Sequence, residues 1–223
     1  VKTTAFDLQM NPASPGMSFH KLDRAKDKNF WSVRVGSDIR LIVHRSESSL
    51  LLCYVDHHDK AYAWAERRRL ETHPKTGAAQ LVEIRERIEE VRVPVYTAIA
   101  TPAIRASAAA AKRPLERVTD DYLLNFGVPS DWLHALRCAT EDELLELAEH
   151  LPGEAAEAVL ELATGGNPAD RRETAPAMAV AETTPVYGKL APFLHPDARR
   201  RFRIMESSEE LERALDYPWE KWS

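Results

Sequence analysis

Cysteine is scarce in this chain: Cys53 and Cys138 are the only two among 223 residues. They form no CxxC and no paired spacing, which argues against a disulfide framework or a thiolate metal site and points to a reducing cytoplasm. Long apolar runs are missing as well. None approaches the ~18 residues that a membrane-spanning helix requires, so no membrane partner is expected. The chain opens VKTTAFDLQ without a methionine. Residues 1–10 therefore read as a helix entered partway, with native residues expected before Val1. What remains is the composition of a folded globular protein, 44% hydrophobic and 29% charged.

Positive charge is in deficit overall, at a net −5, but it is unevenly placed. Residues 1–76 carry 13 Lys and Arg against 9 Asp and Glu, a net +4, and five of the eight histidines. The remainder carries 17 against 26, a net −9. The first third is the part suited to a polyanion, and the rest would repel one.

The predicted fold class is α+β: a small antiparallel sheet with flanking helices, then a separate all-α domain and a short C-terminal tail. NPASPG (Asn11 to Gly16) ends the first helix. WSVRV from Trp31 and IRLIV from Ile39 alternate as strands around Gly36-Ser37-Asp38. Leu50 to Val55 reads as a third, buried central strand, and a helix is expected from about Asp59 to Glu71, stopped before Pro74. This gives a first domain over residues 1–76. A charged helix from Ala79 to Val91 and an Ala/Pro-rich linker fill 77–117. A small helical domain covers 118–166, with Thr119, Ser130 and a Thr140/Glu143 capping box opening its helices. A second linker spans 167–200. The tail, 201–223, carries a short strand at Phe202 to Met205 and a helix capped by Ser207 or Ser208.

A three-residue loop pairs Val35 with Ile39, Val33 with Leu41 and Trp31 with Val43, so that all the apolar residues share one face. Arg34 then lies directly opposite Arg40 on the other face. Facing cations are mildly unfavourable unless an anion lies between them; a phosphate or an acidic side chain would serve, and two solvated arginines are the plain alternative. The third strand ends in DHH, so His57 and His58 emerge where the next helix begins. Imidazole suits proton transfer with a 2′-hydroxyl, and arginines nearby would stabilise the phosphate charge. Tyr62 can stack on a base, orient a leaving oxygen or simply fill core. The run Arg67-Arg68-Arg69 reads first as a solvated helix face and second as a phosphate contact; Arg45 and Lys60 complete the cationic set. No metal site is expected, because further ligands at a supporting spacing are missing.

Taken together, a helix followed by WSVRVGSDIRLIV and LLLCYVDHHDKAY resembles the RelE/ParE superfamily of bacterial toxins, over about residues 17–72. In RelE-type members the resemblance implies metal-free, ribosome-dependent cleavage of mRNA. Arg34 and Arg40 would then hold the phosphate, His57 or His58 would transfer the proton, and Tyr62 would position the nucleotide. His58 stands where that family usually has an arginine, and ParE-type relatives keep the fold without the activity. EELERALDYPWEKWS, from Glu209, is similar to the stretch preceding the ATPase core in bacterial UvrD/Rep-like superfamily 1 DNA helicases with a RelE-like N-terminal region. No GxxxxGK[ST] loop occurs here, so no cofactor is expected for these residues; ATP and magnesium would belong to a helicase core beyond Ser223. The expected function is an accessory region whose RelE-like domain binds DNA, RNA or a partner without catalysis. The first alternative is an mRNA endoribonuclease. The second is a protein-interaction module using residues 119–164.

Overall fold

Alternating apolar and polar side chains build the sheet that organises the first part of the chain. A computed structural model describes residues 2–11, 15–47, 49–85, 112–169 and 190–216. The described residues fall into two compact units. One holds residues up to 72 with 78–83 and 190–216; the other holds 73–77, 84, 85 and 112–169. The fold is mixed helix and strand, with a four-stranded antiparallel sheet in the first unit.

That unit begins with α1 (Lys2–Met10) and continues through β1 (His20–Lys21), β2 (Phe30–Arg34), β3 (Ile39–Arg45) and β4 (Leu50–His57), in spatial order β1-β2-β3-β4. The hairpin between β2 and β3 has the expected register. Val33 pairs with Leu41, Trp31 with Val43 and Arg34 with Arg40, and the Val35 amide donates to the Ile39 carbonyl at 3.1 Å. Both faces are covered. On one, Leu8 of α1 joins Met17, Val33, Leu41 and Val43 in a core; on the other, α2 (His58–Glu66) lays Ala61 and Ala65 on Phe30 and Ile42. Burial in these two layers stabilises the sheet at ~0.8 kcal/mol per methylene removed from water.

The expected central strand is instead an edge. Among the described residues β4 pairs only with β3, and Leu52 and Val55 are exposed at 39% and 38%. A bulge between the Ile42 and Val43 partners puts both Cys53 and Tyr54 against the α2 side.

The helix expected to reach Glu71 stops at Glu66, and the helix expected from Ala79 is a strand. β5 (Arg68–Thr72) and β6 (Ala79–Glu83) form a two-stranded antiparallel sheet, so the boundary expected at 76 falls inside its loop. Cross-strand pairing overrides helix propensity here: Leu70 faces Leu81, and Arg68 is ion-paired with Glu83 at 2.6 Å. The turn between them closes at Gly77, whose φ of 73° favours glycine. Residues 86–91 of the expected charged helix lie outside the described residues, as does most of the Ala/Pro linker.

Within the stretch expected as a second linker, 190–200, two short helices form, α7 (Ala191–Leu194) and α8 (Pro196–Arg199). Ala198 of α8 packs on Ala78 and Ala79, flanked by Phe193 and Phe202, and the Arg201 guanidinium donates to the Ala79 carbonyl at 3.2 Å. Phe202 to Met205 forms no strand. The last helix, α9 (Ser208–Asp216), is capped by the Ser207 hydroxyl, which accepts from the Glu210 amide; the YPWEKWS end lies outside the described residues.

The helical unit numbers on as α3 (Asp120–Asn125), α4 (Leu133–Cys138), α5 (Glu141–Ala148) and α6 (Gly153–Ala163) in chain order before α7. Thr119 caps α3 through the Tyr122 amide, and Thr140 with Glu143 forms the full capping box of α5. Ser130 does not cap: it starts a 3-10 turn that runs into α4 without a side-chain cap. Leu115, Leu123, Leu136, Leu144 and Val159 fill the core. His73 is buried there, donating from Nε2 to the Val128 carbonyl and accepting at Nδ1 from the Lys75 and Thr76 amides. Among the described residues no helix is long and apolar enough to cross a membrane.

Candidate nucleic-acid interface

Strand register decides which side chains meet. His20, Ser32, Ile42 and Tyr54 form one cross-strand row, and Arg34, Arg40 and Asp56 form the next on the same face. This is the face that α2 covers, so Arg34, Arg40 and the start of α2 lie on one side of the sheet. Both arginines turn toward the hairpin loop. Arg34 Nε donates to the Gly36 carbonyl at 3.0 Å, and Arg40 Nη1 reaches the same oxygen at 3.5 Å and the Ile39 carbonyl at 3.1 Å. One carbonyl thus gathers two guanidinium groups, and each keeps N–H donors beyond these bonds. Among the described residues no carboxylate lies within ion-pair distance of either arginine. Asp56, across from Arg40, is engaged elsewhere: it accepts from the His57 amide and the Tyr54 hydroxyl, and these bonds lower its carboxyl below the usual range while raising the Tyr54 phenol.

The adjacent histidines separate. His57 pairs across to Ile39, on the face away from the arginines, and its Nδ1 is held in a short contact by the Asp38 carboxylate. That bond, with the imidazole's charge, the His58 amide and the Arg40 charge, lowers the Asp38 carboxyl against a smaller upward push from burial. His58 opens α2, bonds Asp59 at 2.9 Å and lies on the Tyr62 ring at 4.2 Å between centroids. The Tyr62 hydroxyl meets His20 Nε2 at 2.9 Å, and His20 Nδ1 donates to the Ser18 carbonyl at 2.7 Å. With Nδ1 occupied as donor, Nε2 of a neutral ring is the acceptor, so the phenol proton points at His20.

The other cations scatter. Arg45 lies on the opposite face, over Trp31 and Phe19. Lys60 is exposed on α2, and Arg67 donates to the Ala63 carbonyl just past that helix. Arg68 and Arg69 sit in β5 rather than on a helix face, ion-paired with Glu83 and Glu71, and Arg68 also covers Trp64 at 5.1 Å. These contacts tie Arg68 into the β5–β6 hairpin and against α2. Sequence reasoning missed His20 and Asp38. His20 stands 42 residues from Tyr62, with no local pattern to join them; Asp38 carried a turn signal alone. Among the described residues no cluster of three or more His, Cys, Asp or Glu side chains could hold a metal ion.

Compared with protein-family models, with curated proteins and with solved structures, the chain matches none.

Proposed function

We propose that the first unit binds the phosphate backbone of nucleic acid through Arg34 and Arg40, as an accessory module without catalysis of its own. The observation that carries this reading is the convergence of the two guanidinium groups on the Gly36 carbonyl, with no carboxylate partner among the described residues. Arginine's fork of donors suits a phosphate oxygen pair, and a bound anion relieves the repulsion between facing cations. The division of the histidines weighs against chemistry: His57 is held on the far face by Asp38, and the Tyr62 proton is directed to His20. A helix, a four-stranded antiparallel sheet and a second helix are in keeping with a RelE/ParE-like domain. The tail likeness makes a UvrD/Rep-like helicase the parent protein in this reading. The test is binding of a labelled oligonucleotide by the chain and by Arg34→Gln/Arg40→Gln, with product formation followed alongside. Salt-sensitive binding without product supports the module; no binding, or binding indifferent to both arginines, ends it.

A second reading, a metal-free endoribonuclease, is favoured by one observation: the His58 and Tyr62 rings pack together, tilted at 41°, on the same side of the sheet as the arginine pair. It requires RNA cleavage that Arg40→Ala and His58→Ala abolish. Intact RNA after incubation with the wild type excludes it.

A further inference from the structure

On the opposite face of the sheet, at the end away from the arginine pair, three elements bring aromatic rings and cations together. Ser18 takes a left-handed backbone, φ 45°, that a side-chain-bearing residue rarely adopts. The residue it delivers is Phe19, whose ring lies 4.8 Å from that of Trp31 on β2. Arg45, at the end of β3, spreads its guanidinium 5.0 Å from the Trp31 ring centre and 5.7 Å from that of Phe19. Lys21 of β1 is the cross-strand neighbour of Trp31. Phe19 and Trp31 are half-buried, whereas Lys21 and Arg45 are exposed. Among the described residues neither cation has a carboxylate within ion-pair distance.

Covering the sheet does not require this chemistry. The same cross-strand row continues through Val43 and Leu52, which are aliphatic. Two flat rings, a planar cation on them and a second cation alongside are the components of a surface that stacks unpaired bases and attracts their phosphates. Paired bases keep their faces inside the duplex, so single strands are the form such a surface can take.

We propose that Phe19, Trp31 and Arg45, with Lys21 beside them, form a stacking platform for the bases of single-stranded nucleic acid. This rests on the nucleic-acid reading of the arginine pair and adds to it the strandedness of the ligand. The experiment compares three 12-nucleotide probes on the full chain by fluorescence anisotropy: oligo(dT), a strand of abasic sites, and a blunt duplex. The wild type binds oligo(dT) roughly 5- to 150-fold more tightly than the abasic strand, the span that one stacked base contributes. Trp31→Leu and Phe19→Leu keep an apolar cover, remove a ring face, and lose that preference while leaving abasic binding unchanged. Phe19 also packs against the core of Leu8, Met17, Val33, Leu41 and Val43, so unchanged abasic binding together with an unchanged circular dichroism melt shows that each variant keeps the fold. Arg34→Gln/Arg40→Gln weakens both single-stranded probes alike. Equal affinity for oligo(dT) and the abasic strand, a preference for the duplex, or an oligo(dT) preference that survives both ring substitutions overturns the platform and leaves the phosphate reading standing. Failure of every probe to bind the wild type removes both.

Discussion

Asp27 joins three segments of the first unit, and replacing it by asparagine is a quantitative test of how that unit is held together. Its carboxylate accepts from the Asn29 amide at 3.0 Å and from the Leu70 amide at 3.0 Å, and it contacts His44 Nε2 at 3.3 Å. It therefore ties the β1–β2 turn to β3 and to β5. The Asp27 and His44 side chains are only 10% and 11% exposed, and the His44 ring stands edge-on to Phe30 at 5.6 Å. Asparagine keeps one oxygen but turns an amino group toward a donor, so a charge-assisted bond is lost and a backbone N–H is orphaned. Those losses amount to about 3 kcal/mol, and for a unit of this size a shift in melting temperature on the order of 10 °C follows. Burial pushes the Asp27 carboxyl up, but the bonds from His44, Asn29 and Leu70 together with the imidazole's charge outweigh it and hold the carboxyl low. A depressed folded value means the stabilisation is present above the ordinary carboxylate range, about pH 4, and is lost as pH falls through the folded value. Circular dichroism melts should therefore separate Asp27→Asn from the wild type at pH 7 and bring the two together below the carboxylate range. Coincident melts at pH 7, or a gap that persists unchanged in acid, would refute the reasoning.

Three further outcomes follow from the same structure. Burial pushes the Cys53 thiol up to about 12, and Cys53 is half-buried whereas Cys138 is exposed; a disulfide reagent at pH 8 should titrate one thiol of the native chain fast and the second much more slowly, the two rates converging after denaturation. Thr140→Ala removes the cap of α5 and should lower the stability of the helical unit by about 1 kcal/mol in a denaturant titration, with no effect on oligonucleotide binding. Tyr62→Phe deletes the hydroxyl that meets His20 while keeping the ring under His58. In the binding-module reading it leaves oligonucleotide affinity within about threefold of the wild type, since the hydrogen bond at stake is exposed and of modest net value.

The β2–β3 hairpin was legible because two independent signals agree, a strict alternation and a short Gly-Ser-Asp loop. The pairing of Arg34 with Arg40 was legible with it. The β4 run was recognisable as a strand but not as an edge: LLLCYV is apolar throughout, the pattern of a buried strand, and nothing in it shows that one side has no strand neighbour among the described residues. β5 and β6 were hidden by composition. RRRLET continues a helix without a breaker and AQLVE is rich in helix formers, so only the Pro74-to-Gly77 turn hinted at a second hairpin. The site was legible to the same depth. Residues near one another in sequence, His57, His58 and Tyr62, were placed at the strand–helix junction. The contacts that orient them, Asp38 on His57 and His20 on Tyr62, span 19 and 42 residues and exist only once the sheet is formed.

The most direct test of the central claim is the salt dependence of single-stranded oligonucleotide binding for the wild type and for Arg34→Gln/Arg40→Gln. Each phosphate neutralised on a single strand contributes about −0.7 to the slope of log affinity against log salt. Loss of both contacts should therefore make the double variant's slope shallower by about 1.4 and weaken its binding at low salt at least tenfold. Identical slopes and affinities for the two proteins would contradict phosphate recognition at the hairpin.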